Sequence, residues 1–149
     1  MQMNDSQSIP ASREVVWTAL NNPDVLKQCI PGCQELEMTS PTEMTAKVVI
    51  KVGRVKAAFG GKVTLSDIDP PNGYRITGEG SGGVAGFAKG GAAITLEAAS
   101  ATETILHYQV ESQIGGKLAQ LGSRLIDSTA KKLAAEFFTK FGAIVSGAR

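Results

Sequence analysis

The hydrophobic period changes once along the chain, and this change limits the fold more than any other feature. Through most of residues 33–113, apolar residues recur at every second position, which is typical of strands with one buried face. From about residue 116 to 145 they recur with helical spacing instead. Short turns separate the segments of period two, and no helical connections lie between them. The strands are therefore predicted to pair antiparallel.

The remaining elements follow from local signals. Residues 1–9 are polar enough to form an edge strand, and two short helices are expected at about residues 12–20 and 24–28, with Ser12 as the first cap. A last helix of about 30 residues, or roughly 45 Å, has to lie across the sheet, since nothing else offers it enough apolar surface. We predict a single α+β domain over residues 1–149: a curved antiparallel sheet with a long C-terminal helix and two short N-terminal helices.

Charge and composition exclude several classes of function. The 15 basic and 14 acidic side chains nearly cancel, so no overall basic field is available for nucleic acid. No apolar run reaches the roughly 18 residues of a membrane span, and the polar N-terminus does not resemble a signal peptide. The two cysteines of a non-secreted chain favour a reducing compartment. We expect a cytoplasmic protein, with a peripheral position at the inner face of the membrane as the alternative.

The glycine-rich segment at residues 78–91 allows two interpretations. Gly78, Gly80 and Gly83 match a dinucleotide-binding pattern, but further glycines follow where a phosphate site needs the start of a helix. The structural interpretation is a bulged or mobile strand edge. The functional one is a gate over the mouth of a cavity, with Phe87 as its apolar tip.

The sequence predicts neither a metal site nor catalytic residues. Cys29 and Cys33 are four residues apart, and His107 is the only histidine, so the four ligands of a zinc site are missing. Free thiols are expected. On its strand His107 alternates with Leu106 and Tyr108 and is expected to point outward, without a nucleophile in reach.

A basic stripe is predicted on the last helix. Lys117, Arg124 and Lys131 are spaced by seven residues, which places them on one helical face. This face is either an ordinary solvated side or a docking surface for an acidic partner or anionic lipid. Aromatic residues that would suggest nucleic acid are missing between them.

The space under the last helix is the central question that the sequence poses. The facing strands present Ala57, Gly61 and Ala92, which fill little volume, so either a packed core or a cavity is compatible with the pattern. If a cavity remains, the residues predicted to line it and bind an apolar ligand are Val48, Ile50, Phe59, Val63, Ile76, Phe87, Leu121, Leu125 and Phe137.

Three segments carry a resemblance to a known family. They are Ile30-Pro31-Gly32-Cys33, residues 83–90 (GVAGFAKG) and residues 115–126 (GGKLAQLGSRLI), the last followed by Ala134-Ala135-Glu136-Phe137-Phe138. The chain resembles the carbon monoxide dehydrogenase CoxG family, within the START and polyketide-cyclase-like (SRPBCC) superfamily. The resemblance implies a helix-grip fold, a hydrophobic cavity and an accessory role near a molybdenum hydroxylase, in maturation or membrane attachment. It implies no catalytic residue.

Three hypotheses of function follow. The first is a non-catalytic binding protein without a cofactor, which holds a hydrophobic small molecule such as a quinone or isoprenoid lipid for an enzyme of the carbon monoxide dehydrogenase type. The second is an assembly or membrane-recruitment factor that docks on a larger enzyme and needs no ligand. The third is a cyclase-like or hydrolase-like enzyme, for which Tyr74, Tyr108 and Glu79 are the only polar candidates.

Overall fold

The computed structural model describes residues 1–147, and its elements follow the predicted order. The strands are β1 Gln2–Ile9, β2 Cys33–Ser40, β3 Glu43–Val52, β4 Val55–Asp69, β5 Gly73–Ser81, β6 Phe87–Ser100 and β7 Glu103–Gly115. The α-helices are α1 Arg13–Leu20, α2 Pro23–Cys29 and α3 Ser123–Val145, and two short 3-10 helices span Gly83–Ala85 and Gly116–Leu121.

The seven strands form one antiparallel sheet in the order β1-β7-β6-β5-β4-β3-β2. Consecutive strands from β2 to β7 are neighbours, as expected from short turns, and β1 returns to pair with β7. The predicted edge position of β1 is confirmed. The predicted fold class, an antiparallel sheet with a long C-terminal helix and two short N-terminal helices, is also confirmed.

Side-chain caps start the two short helices. Ser12 accepts a hydrogen bond from the backbone N–H of Val15 at 3.3 Å, and Asn22 accepts one from that of Asp24 at 3.0 Å. Pro23 occupies the first turn of α2, where its missing N–H costs nothing. The two helices bury Val16, Ala19, Leu20, Leu26 and Cys29. They close one end of the core.

The last helix is shorter than predicted. Gly122 has a φ of +93° and separates the 3-10 helix Gly116–Leu121 from α3, so the prediction of one helix from about residue 115 to 145 is wrong in its first part. A glycine adopts this conformation without the steric cost that a Cβ would add. Gly122 is therefore a break before α3 and not a residue of the helix interior. Lys117 precedes the break, so it does not share a helical face with Arg124 and Lys131, as the basic-stripe prediction required.

The core is concentrated toward the end of the sheet that α1 and α2 cover. Phe141 is completely buried, and Phe138 stacks on Tyr108 of β7 with ring centroids 5.4 Å apart. Within residues 123–147, Phe141 is the only buried residue. The apolar residues of the first half of α3, such as Leu125 and Leu133, are only half-buried. The C-terminal half of α3 is anchored in the core, whereas its first half leaves part of its apolar surface uncovered.

Tyr74 connects α1 to the sheet and gives the fold a predictable response to high pH. Its hydroxyl donates to the carbonyl oxygen of Leu20 at 3.2 Å, and its ring lies 5.2 Å from that of Trp17. Burial raises the pKa of Tyr74 to about 12 from its ordinary value of 10.0. Between pH 10 and 12 the unfolded chain releases this proton and the folded chain retains it, so the free energy of unfolding falls by about 1.4 kcal/mol per pH unit.

We expect a constant contribution below pH 10 and a total loss of about 2–3 kcal/mol by pH 12. Urea denaturation of the wild type and of Tyr74→Phe at several pH values between 9 and 12 measures this loss. Other groups that titrate in this range, Tyr108 among them, are present in both proteins and cancel in the difference. If the difference between the two proteins does not change with pH, the buried phenol is not responsible.

Candidate functional site

Two neighbouring rows of small residues cross the face of the sheet that carries the core, which we call the inner face. Residues directly opposite each other on antiparallel strands point to the same face. The first row runs from β3 to β6 and consists of Ala46, Gly61, Gly80 and Ala88. The second row runs from β4 to β7 and consists of Val63, Gly78, Gly90 and Ser112. The middle of the inner face therefore carries very little side-chain volume.

An apolar cleft of about 360 Å³ lies over these rows. The inner-face side chains that line it are Ala46, Val48, Phe59, Val63, Ile76, Ala88, Ala92, Val110 and Ser112. Glu79, Lys89 and Glu111 also adjoin the cleft, but each follows or precedes an inner-face residue and so points to the opposite face. Ser112 is the one polar side chain on the inner face of the lining. We take this cleft as the candidate ligand site.

The curvature of the sheet at the cleft requires glycine. A Cβ on Gly90 would lie 2.2 Å from the backbone carbonyl oxygen of Glu111, and one on Gly61 would lie 2.7 Å from that of Glu79. Both distances are shorter than any real contact of a Cβ atom, so the neighbouring strands approach too closely there for a side chain. The same glycines thus bend the sheet and leave the floor of the cleft bare.

The structure brings together four of the nine residues that were predicted to line a cavity. Val48, Phe59, Val63 and Ile76 border the cleft. Ile50, Phe87, Leu121, Leu125 and Phe137 are not among the lining residues. Leu125 lies instead against Gly53 in the β3–β4 turn, and Phe137 packs edge-on against Phe138. A ligand-binding role for any of the nine residues stays a prediction.

Phe87 lies on the face opposite to the one predicted. It is paired with Ser81 of β5 and Gly115 of β7, one position away from the inner-face residue Ala88. Its side chain is 45% exposed and covers Gly115, where no Cβ would fit beneath the ring. The alternation of a strand explains the difference, since a shift of one residue moves a side chain to the other face.

Most of the glycine-rich segment is regular sheet. β5 and β6 pair without a register shift from Gly73 opposite Thr95 to Ser81 opposite Phe87, and both strands are interior. The prediction of a bulged or mobile edge is therefore wrong for these strands. Only residues 82–86 lie outside them, and Val84 at their centre is 91% exposed. The gate hypothesis is restricted to this turn and stays a prediction.

A larger depression of about 860 Å³ lies on the outer face of the sheet and is polar. Its charged side chains include Lys62, Arg75, Glu79, Lys89 and Glu111. These charges are partly neutralised: Lys62 lies 2.7 Å from the carboxylate of Glu43, and Arg75 lies 3.9 Å from that of Glu111. The outer depression suits solvent and ions, whereas the smaller apolar cleft suits a hydrophobic molecule.

The three polar candidates for catalysis do not converge. Tyr74 and Tyr108 are buried in the core, where desolvation raises the pKa of each phenol, and Glu79 points to the outer face. His107 is exposed as predicted, with its Nε2 atom 2.9 Å from Oε1 of Glu97. General acid–base chemistry needs such groups within reach of one substrate, and this arrangement does not provide it.

The cysteines are free thiols, as predicted. Cys29 is buried and Cys33 is partly exposed, and burial raises the pKa of both thiols. A raised pKa lowers the thiolate fraction and with it the reactivity. Within residues 1–147, no three or more His, Cys, Asp or Glu side chains are grouped so that they could hold a metal ion.

The basic residues of the predicted docking surface are exposed. Lys117, Arg124 and Lys131 form no ion pair with any residue that the structure describes. Of these, Arg124 and Lys131 belong to α3 and are two turns apart, so they share one face of it. In the described part of the chain, every helix is too short or too polar to cross a membrane.

Sequence reasoning missed Ser112 and the small residues of the first row. The signal for Ser112 is present: Val110, Ser112 and Ile114 continue the alternation of β7 on its inner face. The small residues of different strands, in contrast, form rows only through strand register, which a single sequence does not reveal.

Comparisons with known proteins bear on both the fold and the family. The family model of carbon monoxide dehydrogenase CoxG matches residues 6–146. A conserved protein from Geobacillus kaustophilus is 31% identical, with a TM-score of 0.93 over 98% of this chain and 95% of that chain. A search of the curated proteins finds no match.

More distant structures share the fold at low sequence identity. A START superfamily protein from Mycobacterium smegmatis is 10% identical, with a TM-score of 0.76 over 99% of each chain. The Zhui aromatase/cyclase from Streptomyces sp. R1128 is 12% identical, with a TM-score of 0.65 over 97% of this chain and 93% of that chain. These similarities establish a START-like, helix-grip fold for the chain and leave its chemistry open.

Proposed function

The chain belongs to the carbon monoxide dehydrogenase CoxG family, and we propose that it is a non-catalytic protein that binds a quinone or an isoprenoid lipid in its apolar cleft. It does so as an accessory to a molybdenum hydroxylase of the carbon monoxide dehydrogenase type. The family and the fold support hydrophobic ligand binding in general. The nature of the ligand and of the enzyme are the finer parts of the proposal.

The apolar cleft on the inner face is the observation that carries the proposal. Its lining side chains are apolar except for Ser112, and they lie beside rows of glycine and alanine where a core would normally be filled. Burial of an apolar ligand there contributes about 25 cal/mol per Å² before the cost of association. A cleft of about 360 Å³ accommodates a ring system of one or two rings, and a longer tail extends beyond it.

A quinone fits the context of the family better than an inert lipid. Hydroxylases of this type remove electrons from their substrates and must pass them to an acceptor, and a quinone is both an acceptor and largely apolar. A protein that shields such a molecule from water would deliver it to an enzyme or remove it afterwards. The family name and the chemistry of the cleft together support this choice of ligand.

Native mass spectrometry and calorimetric titration test the proposal. Protein purified from its own host is expected to carry a co-purifying apolar molecule of defined mass. Protein freed of it is expected to bind 2-methyl-1,4-naphthoquinone with one-to-one stoichiometry, and excess lysozyme in the same buffer controls for non-specific uptake. If the protein from the host is empty and the freed protein binds neither this quinone nor ubiquinone-1, the carrier function is contradicted.

A second candidate function is docking without a ligand. The observation that favours it is the exposed pair Arg124 and Lys131 on α3, without an ionic partner in the described residues. Such a surface suits an acidic face of a larger enzyme or anionic lipid at a membrane. The titration separates the two functions, because a docking protein keeps its activity in assembly when the cleft binds nothing.

A further inference from the structure

We propose that the hydroxyl of Ser112 is the hydrogen-bonding anchor of the cleft and selects apolar molecules that carry a carbonyl or hydroxyl oxygen on a ring. The inference rests on the proposed function, since it needs a ligand in the cleft. Ser112 lines the cleft, and its hydroxyl oxygen is buried without a hydrogen-bond partner among the residues that the structure describes. A buried hydroxyl without a partner destabilises a fold, so its presence asks for an explanation.

The backbone of Ser112 is fully used, which leaves only the hydroxyl free. The N–H of Ser112 donates to the carbonyl oxygen of Met1 at 2.9 Å, and its own carbonyl oxygen accepts a bond from the Met1 amino group at 2.8 Å. Opposite it on β6 stands Gly90, which has no side chain to offer. The neighbours on the same face of β7, Val110 and Ile114, are apolar.

Other hydroxyls in this protein show what a structural role looks like. Thr104, also on β7, is completely buried and donates to the carbonyl oxygen of Ala11 at 2.7 Å. Ser128 donates to the carbonyl oxygen of Leu125 at 3.0 Å. Ser112 makes no such bond, and alanine at its position would give the same strand without the unsatisfied group. A structural role therefore does not account for the serine.

The chemistry of a hydroxyl defines the ligand that it would accept. A serine hydroxyl donates one hydrogen bond and accepts others, and rotation about χ1 directs it into the cleft. It donates to the ring carbonyl of a quinone and accepts from the phenolic hydroxyl of the reduced form, so one anchor serves both redox states. A pure hydrocarbon of the same shape gains nothing from it. The bond also orients the oxygen of the ligand toward the β6–β7 side of the cleft, away from Phe59.

The test compares two probes that differ only in their oxygens, 2-methyl-1,4-naphthoquinone and 2-methylnaphthalene, by calorimetric titration. Ser112→Ala is expected to lower the affinity for the quinone by about 5- to 15-fold, the value of one neutral hydrogen bond. Its affinity for the hydrocarbon is expected to remain within about twofold of wild type, since no hydrogen bond is lost. Ser81→Ala, the same change at an exposed site on the outer face of β5, is expected to alter neither affinity.

The free protein provides a second readout that needs no ligand. Because Ser112→Ala removes an unsatisfied buried group, its Tm is expected to rise by about 2–4 °C. A fall in Tm would show that the hydroxyl supports the fold and would overturn the anchor. Equal loss of both probes in Ser112→Ala, or no loss of either, would also overturn it while leaving ligand binding in the cleft intact. If the wild type binds neither probe, the proposed function fails and the anchor fails with it.

Discussion

Ala92→Phe is expected to abolish binding of an apolar ligand while leaving the protein folded. Ala92 stands on the inner face between Ile76 of β5 and Val110 of β7, and all three residues line the cleft. A phenyl ring there occupies the space of a ligand ring. If it displaces about 100 Å² of ligand contact at about 25 cal/mol per Å², the loss is about 2.5 kcal/mol, or roughly 70-fold in Kd. Titration with 2-methyl-1,4-naphthoquinone measures this loss.

The adjacent residue provides a matched control. Ala93 lies one position along β6, so its side chain points to the outer face, between Arg75 and Gln109. Ala93→Phe adds the same ring to the same strand, and we expect it to change the affinity by less than about twofold, since it leaves the apolar contacts of the ligand in place. A comparable loss in both variants would mean that the strand and not the cleft responds.

Stability distinguishes an open cleft from a packed core. A ring that enters an open apolar cleft covers apolar surface, so the Tm of Ala92→Phe should equal that of wild type or exceed it by a few degrees. A ring forced into a filled core costs about 1–3 kcal/mol through off-rotamer side chains and shifted backbone. A clear drop in Tm would contradict the cleft itself, and with it the proposed function.

The strands and short helices could be predicted from the sequence because their signals are local. Period-two alternation identifies β3 and β4, and Ser12 marks the start of α1 as a side-chain cap. The break before α3 was missed for a physical reason. The apolar spacing continues through Gly122, and a glycine inside a helix costs only about 1 kcal/mol. Only its φ of +93° shows that the chain turns there.

The candidate site was less predictable because it depends on register between strands. The residues that flank the cleft as large apolar groups, such as Val63 and Ile76, could be identified from alternation alone. The bare floor could not, since Gly61, Gly80 and Ala88 form one row only after β4, β5 and β6 pair in this register. Phe87 shows the same limit: a shift of one residue in the assumed alternation placed it on the wrong face.

Gly90→Ala is expected to be among the most destabilising single methyl additions in the sheet. The added Cβ would lie 2.2 Å from the carbonyl oxygen of Glu111 and 2.7 Å from the Cα of Ser112, and both are backbone atoms that cannot move without moving β7. We expect a loss of about 3 kcal/mol in the free energy of unfolding, comparable to a severe overpacking. Thermal denaturation should show a fall in Tm of about 6–12 °C.

Gly80→Ala is the control, since it adds the same methyl group to the same face on the adjacent strand. Its Cβ would have its nearest neighbour, the carbonyl oxygen of Gly60, at 3.6 Å, which is an ordinary contact. There we expect no loss, or a gain of about 0.5–1 kcal/mol from the lower conformational freedom of alanine in the unfolded chain. The comparison thus separates the steric demand of the bend from the general preference of strands against glycine.

Equal effects of the two substitutions would show that the sheet tolerates a side chain at Gly90 and that the bend does not require glycine there. The expected difference has a consequence for binding as well. If Gly90→Ala forces β6 and β7 apart, the floor of the cleft flattens, and the variant should lose affinity for 2-methyl-1,4-naphthoquinone at temperatures where it is still folded. Gly80→Ala puts one methyl group on the floor without moving the strands, so it should lose less. That order of affinities, measured below both melting transitions, links the curvature of the sheet to the capacity of the cleft.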